Sequence, residues 1–281
     1  VGVPHQRFTE DALRILRLYR FAARFGFSID PPTAQAAQEL CAHLDCVSVE
    51  RIEEELAKLL SAPAPAAYLD EKILGVVLPE LSPEALAAAK PVVDACPAGE
   101  QALPVRLAAL LLSLGEDSTR RTLRRLRCSN ACIEETAVLV REARRRDGSF
   151  SEDRPLGWDP VAEGNRAGDG MARIVSEEKA TVTPGFTIYA RRLLGKYNLC
   201  TVQRLAALGT ALQSERSADF AALSELAEQL DADGVCCRVS QLAVNGRDLM
   251  AAGVPAGPGI RKVLEALLDG VIREEYPNER Q

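Results

Sequence analysis

The chain has 281 residues, of which 47% are hydrophobic and 5% aromatic, and its formal net charge is −6. This length predicts roughly two or three domains, and the hydrophobic content is enough for a sizeable core. Net negative charge excludes a chain-wide electrostatic signature of nucleic-acid binding, so any such function must rest on local clusters of basic residues.

Metal-site and membrane signals are weak throughout the sequence. Eight cysteines are scattered without a Cys-x-x-Cys pair, and there are only two histidines, so a zinc site is not predicted. Such cysteines are typical of buried residues in a reducing cytosol. There is no signal peptide and no apolar run of membrane-spanning length, which predicts a cytoplasmic protein without membrane partners. Because the first residue is Val1 rather than Met, we expect a portion of a longer protein.

The opening residues predict three helices that form one unit over residues 1–62. Thr9 is the predicted N-cap of the first helix, which ends near Gly26. The second begins at 30–33 and continues to about Leu44. Ser48 is the predicted cap of the third, in which four apolar residues share one face: Ile52, Leu56, Leu59 and Leu60.

Two further domains are predicted after the prolines at 63 and 65. A body over 63–146 contains predicted helices at 65–75, 83–95, 102–114, 118–127 and 130–145. Residues 147–170 are rich in Gly, Asp and Pro and predict a loop at the domain boundary. A helical pattern resumes after this loop and continues to the end of the chain. The third predicted domain, the tail, therefore covers 147–281. The predicted fold class is all-α, elongated because the domains pack end to end.

The first predicted helix carries charges of both signs on one stripe, formed by Glu10, Arg14, Arg17, Phe21 and Arg24, with Asp11 beside it. A carboxylate only accepts hydrogen bonds and a guanidinium only donates them. Cytosine and adenine present an amino donor next to a ring-nitrogen acceptor, which an adjacent Asp and Arg match. Uracil and guanine present the reverse pattern and mismatch at both positions. The alternative is a set of surface ion pairs, each worth about 0.2–0.5 kcal/mol.

The stretch RFTEDALRILRLYRFAARFGFSIDPPT, residues 7–33, resembles the start of the neck domain of bacterial-type (class II) CCA-adding tRNA nucleotidyltransferases and their poly(A) polymerase relatives. Glu10, Asp11 and Arg14 match the Glu-Asp-x-x-Arg motif of that family, and Arg17 and Arg20 match the arginines that follow it. VERIEEELAKLL at 49–60, LPEL at 78–81 and the segment 242–280 are also similar to the family.

The resemblance implies a protein that adds C, C and A to tRNA 3′ ends, with CTP, ATP and tRNA as partners. Asp11 and Arg14 would read the incoming base, while Glu10 and Arg17 would orient that pair. The family's head domain carries an Asp-x-Asp after a Gly-Ser turn and would hold Mg²⁺. This chain matches only the neck, body and tail, so by itself it is predicted to need no cofactor and to be inactive.

Two other candidate metal sites are not predicted to function. Asp231-Ala-Asp233 lacks a preceding Gly-Ser turn and is expected to lie in a loop at a helix end. A phosphohydrolase site of the kind found in some relatives would need more histidines than the chain contains, and Leu112 and Ser113 stand where its ligands would be.

Two basic regions are candidate RNA contacts. Nine arginines and three glutamates lie between Ser118 and Arg146, and Arg120, Arg124 and Arg127 share a predicted helix face. The alternative is a solvated helix whose arginines pair with acids elsewhere. In AGPGIRKVL, residues 256–264, the start of a helix with Arg261 and Lys262 is the second candidate for phosphate contact. An ordinary tight turn explains the same glycines.

Several functions remain open at this stage. A CC-adding, an A-adding or a poly(A)-adding enzyme would carry the same motifs, and a stand-alone helical RNA-binding protein is the alternative of a different class. A Gly-Ser and Asp-x-Asp strand region in the sequence before Val1 would select the enzyme.

Overall fold

A computed structural model describes residues 2–144, 184–213 and 217–279. Within these ranges the chain is helical and has no β-strand, which confirms the predicted all-α class. The predicted loop at 147–170 lies outside the described residues. The α-helices are α1 Pro4–Glu10, α2 Leu13–Phe25, α3 Pro31–Leu40, α4 Val49–Leu60, α5 Glu71–Val77, α6 Pro83–Ala95, α7 Leu103–Leu111, α8 Glu116–Arg125, α9 Asn130–Arg144, α10 Pro184–Lys196, α11 Leu199–Ala211, α12 Ser217–Ala232, α13 Gly246–Ala251 and α14 Pro258–Ile272.

The described residues divide into two compact units. The first contains 2–144 together with 207–213 and 217, and the second contains 184–206 and 218–279. The proposed boundaries at 62/63 and 146/147 remain predictions.

In the first unit, α2 and α4 pack against each other through amphipathic faces. Ile15 and Leu16 of α2 are almost completely buried, and so are Leu59 and Leu60 of α4. The predicted apolar face of α4 is therefore confirmed. Because each helix buries one stripe, the opposite stripe of α2 is left for polar and charged side chains.

The predicted start of the first helix is wrong. Thr9 is not an N-cap but lies inside α1, where its hydroxyl donates to the His5 carbonyl at 2.8 Å. Pro4 occupies the first turn of this earlier helix, a position that suits its fixed φ. Asp11 then adopts an extended backbone, φ −151°, which ends α1 before α2 begins at Leu13.

The predicted end of α2 is confirmed at Gly26, which has a left-handed backbone, φ 66° and ψ 29°. The Phe27 amide donates to the Ala22 carbonyl at 3.0 Å, as in a helix-terminating turn of the Schellman type. No atom lies within 4 Å of where a Cβ on Gly26 would stand, so backbone conformation alone favours glycine here.

A buried arginine joins α4 to α7 and to the end of α6. The guanidinium of Arg106, which is completely buried, donates to the carbonyl groups of Leu60, Ala62, Pro63 and Cys96. These carbonyls follow the ends of helices, where backbone acceptors otherwise lack partners. The Arg106 side chain thereby supplies hydrogen bonds to the backbone carbonyl groups at the C-terminal ends of α4 and α6.

The second unit is held by arginine contacts between α10 and the residues around α14. Arg191 donates to the Ile272 carbonyl at 3.1 Å and to Glu274 at 2.7 Å, and Arg192 pairs with Asp269 at 2.7 Å. A Cβ at Gly195 would lie 2.2 Å from the Cys237 carbonyl oxygen, so only glycine allows this close approach.

We predict that Gly26→Ala lowers the free energy of unfolding by about 1 kcal/mol, because alanine is strained at positive φ. Gly75→Ala is the matched control: Gly75 lies exposed within α5, also with open space around its Cα. Alanine there should stabilise by about 0.5–1 kcal/mol through helix propensity. Urea unfolding of both variants measures the two effects. If the free energy of unfolding changed in the same direction in both variants, this account of Gly26 would be contradicted.

Candidate nucleotide-recognition site

The candidate site lies at the junction between α1 and α2. Asp11 stands between the helices, and its Oδ1 accepts a hydrogen bond from the Leu13 amide at 3.1 Å, which caps the start of α2. Its Oδ2 accepts from Nη2 of Arg51, on α4, at 3.3 Å. The Asp11 side chain is 28% exposed. The carboxylate is therefore held on two sides and still reaches solvent.

Arg14 is held by groups from α1. Its Nη1 donates to Glu10 Oε2 at 2.7 Å and to the Arg7 carbonyl at 3.1 Å. Glu10 also accepts from Arg7 Nη1 at 3.1 Å. The hydrogen bond from Arg14, followed by that from Arg7, holds the pKa of the Glu10 carboxyl below its usual value. Glu10 is thus an anion that fixes one side of the Arg14 guanidinium.

Asp11 and Arg14 lie in one turn but are paired with different groups. The Arg14 amide donates to the Asp11 carbonyl at 3.1 Å, which joins the two backbones. Arg51 neutralises the Asp11 carboxylate and Glu10 neutralises the Arg14 guanidinium. A carboxylate accepts about four hydrogen bonds and a guanidinium donates five, so each group retains capacity for a ligand.

Arg17 points to a buried acid rather than to Asp11 or Arg14. Its Nε donates to Oε1 of Glu55 at 3.1 Å, and the Glu55 side chain is only 4% exposed. Nε of Arg20 lies 2.8 Å from the other Glu55 oxygen, an ion pair whose angles do not fit a hydrogen bond. Two arginines on successive turns of α2 therefore share one carboxylate from α4.

Burial confirms the predicted stripe along α2 from Arg14 onward, but Glu10 is not part of it, because α1 ends at Glu10 and Asp11 has an extended backbone. Phe21 is 45% exposed, and Arg14, Arg17 and Arg24 also reach solvent, whereas Tyr19 and Ala23 lie in the core. The surface ion-pair interpretation is supported at Glu10, whereas the carboxylate that Arg17 and Arg20 share at Glu55 is buried. It does not account for Asp11, whose partners come from a helix start and from another helix.

The second set of candidate residues, at the end of α8, is largely ion-paired. Arg120 contacts both Glu116 and Glu134, and Arg127 contacts Glu50. Arg127 lies beyond the last residue of α8 and has a left-handed backbone, φ 57°, so it does not continue the helix face. Only one member of the predicted trio, Arg124, is exposed and forms no ion pair with a carboxylate among the described residues, although its charge interacts with Glu134 at longer range.

The third set lies in the first turns of α14, which follows Gly257. Arg261 is 85% exposed and pairs with Glu265 at 2.8 Å, while Lys262 is exposed without an ion-pair partner in the described part of the chain. Both residues belong to the second unit.

Sequence reasoning missed Arg51 and Glu55, the two residues of α4 that contact the site. Both lie in VERIEEELAKLL, where Arg51, Glu53, Glu54 and Glu55 look equally like a solvated face. Burial of Glu55 has one local signal, its position three residues after Ile52 and four before Leu59 on the apolar face.

Metal and membrane features are limited in the described residues. No cluster of three or more His, Cys, Asp or Glu side chains there could hold a metal ion. Asp231 is the penultimate residue of α12 and Asp233 follows the helix; both are exposed and stand just before Gly234 at φ 63°. None of the described helices combines the length and hydrophobicity needed to cross a membrane.

Two family models match separate parts of the chain. Residues 26–84 match the probable RNA and SrmB-binding site of polymerase A. Residues 180–281 match a putative domain 2 of tRNA nucleotidyltransferase.

Curated relatives align with the whole chain. A CCA-adding enzyme from Geobacillus stearothermophilus is 28% identical over 285 residues, and one from Limosilactobacillus fermentum is 29% identical over 294. Each alignment covers 100% of this chain and 60% of the relative. A CCA-adding enzyme from Streptococcus pneumoniae is 51% identical over 63 residues, 22% of this chain and 16% of the relative. The chain thus spans about 60% of the length of the relatives that match all of it.

Solved structures share the fold. The Bacillus stearothermophilus CCA-adding enzyme in complex with CTP has a TM-score of 0.68 at 24% identity, covering 99% of this chain and 61% of that one. The Thermotoga maritima CCA-adding enzyme complexed with tRNA(CCA) has a TM-score of 0.55 at 17% identity, covering 97% and 59%.

We predict that Glu55→Gln lowers the free energy of unfolding by about 3 kcal/mol, because it leaves Arg20, only 12% exposed, without an anion. Glu54→Gln is the matched control, since Glu54 is 62% exposed and pairs with Lys58 on its own helix. The control should leave stability almost unchanged. Urea unfolding compares the two, and an equally small effect at Glu55 would show that the buried pair does not hold α2 to α4.

Proposed function

We propose that this chain is a member of the bacterial-type CCA-adding tRNA nucleotidyltransferases and their poly(A) polymerase relatives, a proposal supported by the two family-model matches and by the alignments over the whole chain. We propose that in the complete protein it selects CTP and ATP and binds tRNA while C, C and A are added to the tRNA 3′ end. The protein would act in the cytoplasm.

One observation carries the base-selection proposal: a carboxylate that is 28% exposed and a guanidinium that is 41% exposed stand one turn apart, and each is held by its own counter-ion. Held groups lose little conformational entropy when a base arrives. In the proposed complex, Asp11 accepts from the exocyclic amino group of cytosine or adenine. Arg14 donates to the neighbouring ring nitrogen.

The supporting residues have separate proposed roles. Glu10 and Arg51 orient Arg14 and Asp11 respectively, as their hydrogen bonds suggest. Arg17 acts less directly than we expected from the sequence, through the Glu55 ion pair that it shares with Arg20. In UTP or GTP, a carbonyl oxygen would face the Asp11 carboxylate, so that two acceptors meet, and an N–H would face the Arg14 guanidinium, so that two donors meet. Each buried mismatch costs about 1–3 kcal/mol.

Phosphoryl transfer would also need metal ions to neutralise charge on the triphosphate and to activate the attacking hydroxyl. The described residues offer no donor cluster for them. We propose that Mg²⁺ and its carboxylate ligands belong to the part of the relatives' length that this chain does not span. The chain by itself would then bind nucleotide and RNA without catalysing addition.

The tRNA is proposed to contact the exposed basic residues of both units. Arg124 is the strongest candidate of the α8 set because it is exposed and forms no ion pair among the described residues. To bind phosphates, Arg120 and Arg127 would first have to break their ion pairs with glutamates. Lys262 and Arg261 are proposed as the contacts of the second unit.

A second candidate is an enzyme that adds A residues alone. It is favoured by the match of residues 26–84 to a family model described for polymerase A. The same Asp11–Arg14 pair would serve ATP alone in that case. Incorporation of labelled CTP and ATP by the complete protein, into tRNA lacking its CCA end, separates the candidates. CTP incorporation would exclude an enzyme that adds only A.

We predict that Asp11→Ala in the complete protein reduces incorporation of both CTP and ATP by about 10–100-fold, because both bases offer an amino donor. Arg14→Ala should act likewise through the ring nitrogen. Arg7→Ala is the control, because Arg7 contacts Glu10 and is not proposed to contact cytosine or adenine. Steady-state incorporation of all four nucleotides measures the effect, and wild-type rates and selectivity for a folded Asp11→Ala protein would contradict the proposal.

We predict that Arg124→Gln reduces the slope of log K against log salt for tRNA binding by about 1, the value for one lost phosphate contact. Arg120→Gln should change the slope less, because Glu116 and Glu134 already neutralise Arg120. Neutralising Arg120, Arg124 and Arg127 together should flatten it most. An unchanged slope for the triple variant would mean that the end of α8 does not contact tRNA.

A further inference from the structure

Three phenylalanine rings form an exposed, ordered row that the proposed base-selection site does not use. Phe21, Phe25 and Phe27 are 45%, 55% and 62% exposed. The Phe21 and Phe25 ring centroids are 6.1 Å apart with planes 5° from parallel, and the Phe25 and Phe27 centroids are 5.5 Å apart at 29°. We call these three rings the phenylalanine ladder.

The ladder is built by the backbone rather than by burial. Phe21 and Phe25 are four residues apart and so share one face of α2. The left-handed turn at Gly26 then returns the chain, and the Phe27 amide is fixed to the Ala22 carbonyl. The Tyr68 hydroxyl donates to the Phe27 carbonyl at 3.2 Å. All three rings are therefore positioned while their surfaces stay in solvent.

Two guanidinium groups accompany the rings. Cζ of Arg20 lies 3.9 Å from the Phe21 centroid, and Cζ of Arg24 lies 5.9 Å from the Phe25 centroid. Glu55 neutralises Arg20, whereas Arg24 is exposed and has no ion-pair partner among the described residues. The ladder thus combines aromatic faces with one uncompensated positive charge.

These features fit a nucleic acid better than a polypeptide. Scattered exposed apolar residues are ordinary, but a contiguous exposed apolar patch marks an interaction surface. An aliphatic protein surface would cover the rings and leave the charge of Arg24 unmatched. Unpaired nucleotides supply a flat base for each ring and a phosphate for the arginine, the combination found in surfaces that bind single strands.

We propose that the phenylalanine ladder is a stacking platform for unpaired nucleotides of the bound RNA, an inference that rests on the proposed function. Phe21 and Arg14 are seven residues apart on α2, about 10 Å along its axis. Base stacking is tolerant of sequence, whereas the Asp11–Arg14 pair distinguishes bases. The ladder would hold a single-stranded RNA end of any sequence near the site that selects the incoming nucleotide.

The test compares two RNA hairpins that differ only in an unpaired 3′ extension. The Phe25→Leu/Phe27→Leu chain keeps apolar side chains but loses two aromatic faces. We expect it to bind the extended hairpin about tenfold or more weakly than the wild-type chain does, and the blunt hairpin equally well. A 2-aminopurine in the extension should be quenched by the wild-type chain and less by the variant. Tyr276→Leu, which removes a ring that is 55% exposed in the second unit, is the control.

The outcomes separate this inference from the function on which it rests. If the double variant binds and quenches the extended hairpin like the wild-type chain, the platform is excluded, while RNA binding itself stands. If the wild-type chain binds neither hairpin, the proposed RNA binding fails and the platform fails with it. If the substitutions change only self-association in sedimentation experiments, the ladder is a protein contact and the inference is wrong. Unchanged thermal unfolding verifies that each variant is folded.

Discussion

The candidate site depends on a carboxylate that the chain keeps almost entirely out of water. Glu55 of α4 lies between Arg17 and Arg20 of α2 and is 4% exposed. A buried anion is tolerated only when it is paired, so the two helices are fixed in one relative rotation. That rotation determines which residues of α2 face solvent. It also brings Arg51, one turn earlier on α4, to the carboxylate of Asp11.

Because this constraint fixes which residues of α2 face solvent, the helix presents two different surfaces on one side. At its N-terminal end, Asp11 and Arg14 are held by Arg51 and Glu10, which prepares a donor and an acceptor for a base edge. At its C-terminal end, the turn at Gly26 presents rings that have no means of distinguishing bases. In our proposal the first surface selects the incoming nucleotide, and the second holds the strand that receives it.

The sequence predicted local features well and long-range pairing poorly. The end of α2 at Gly26 and the apolar face of α4 follow from helix chemistry, so both were correct. The start at Thr9 was wrong because Pro4 already permits a helix that Asp11 then interrupts. The basic region was only partly predicted: Glu50, which pairs with Arg127, lies 77 residues away in the sequence, whereas Arg120 pairs with Glu116 and Glu134 nearby. Helix spacing indicates pairs four residues apart, such as Arg120 with Glu116, but not a partner from another helix such as Glu50.

The central claim is that the Asp11 carboxylate recognises the amino group of the incoming base. The most direct measurement compares CTP with its analogue lacking the 4-amino group, as substrates of the complete wild-type protein and of its Asp11→Ala variant. We predict that the wild-type protein prefers CTP by about 10–100-fold and that the variant shows almost no preference, because it has no acceptor for the amino group to satisfy. The same preference in both proteins would contradict the claim.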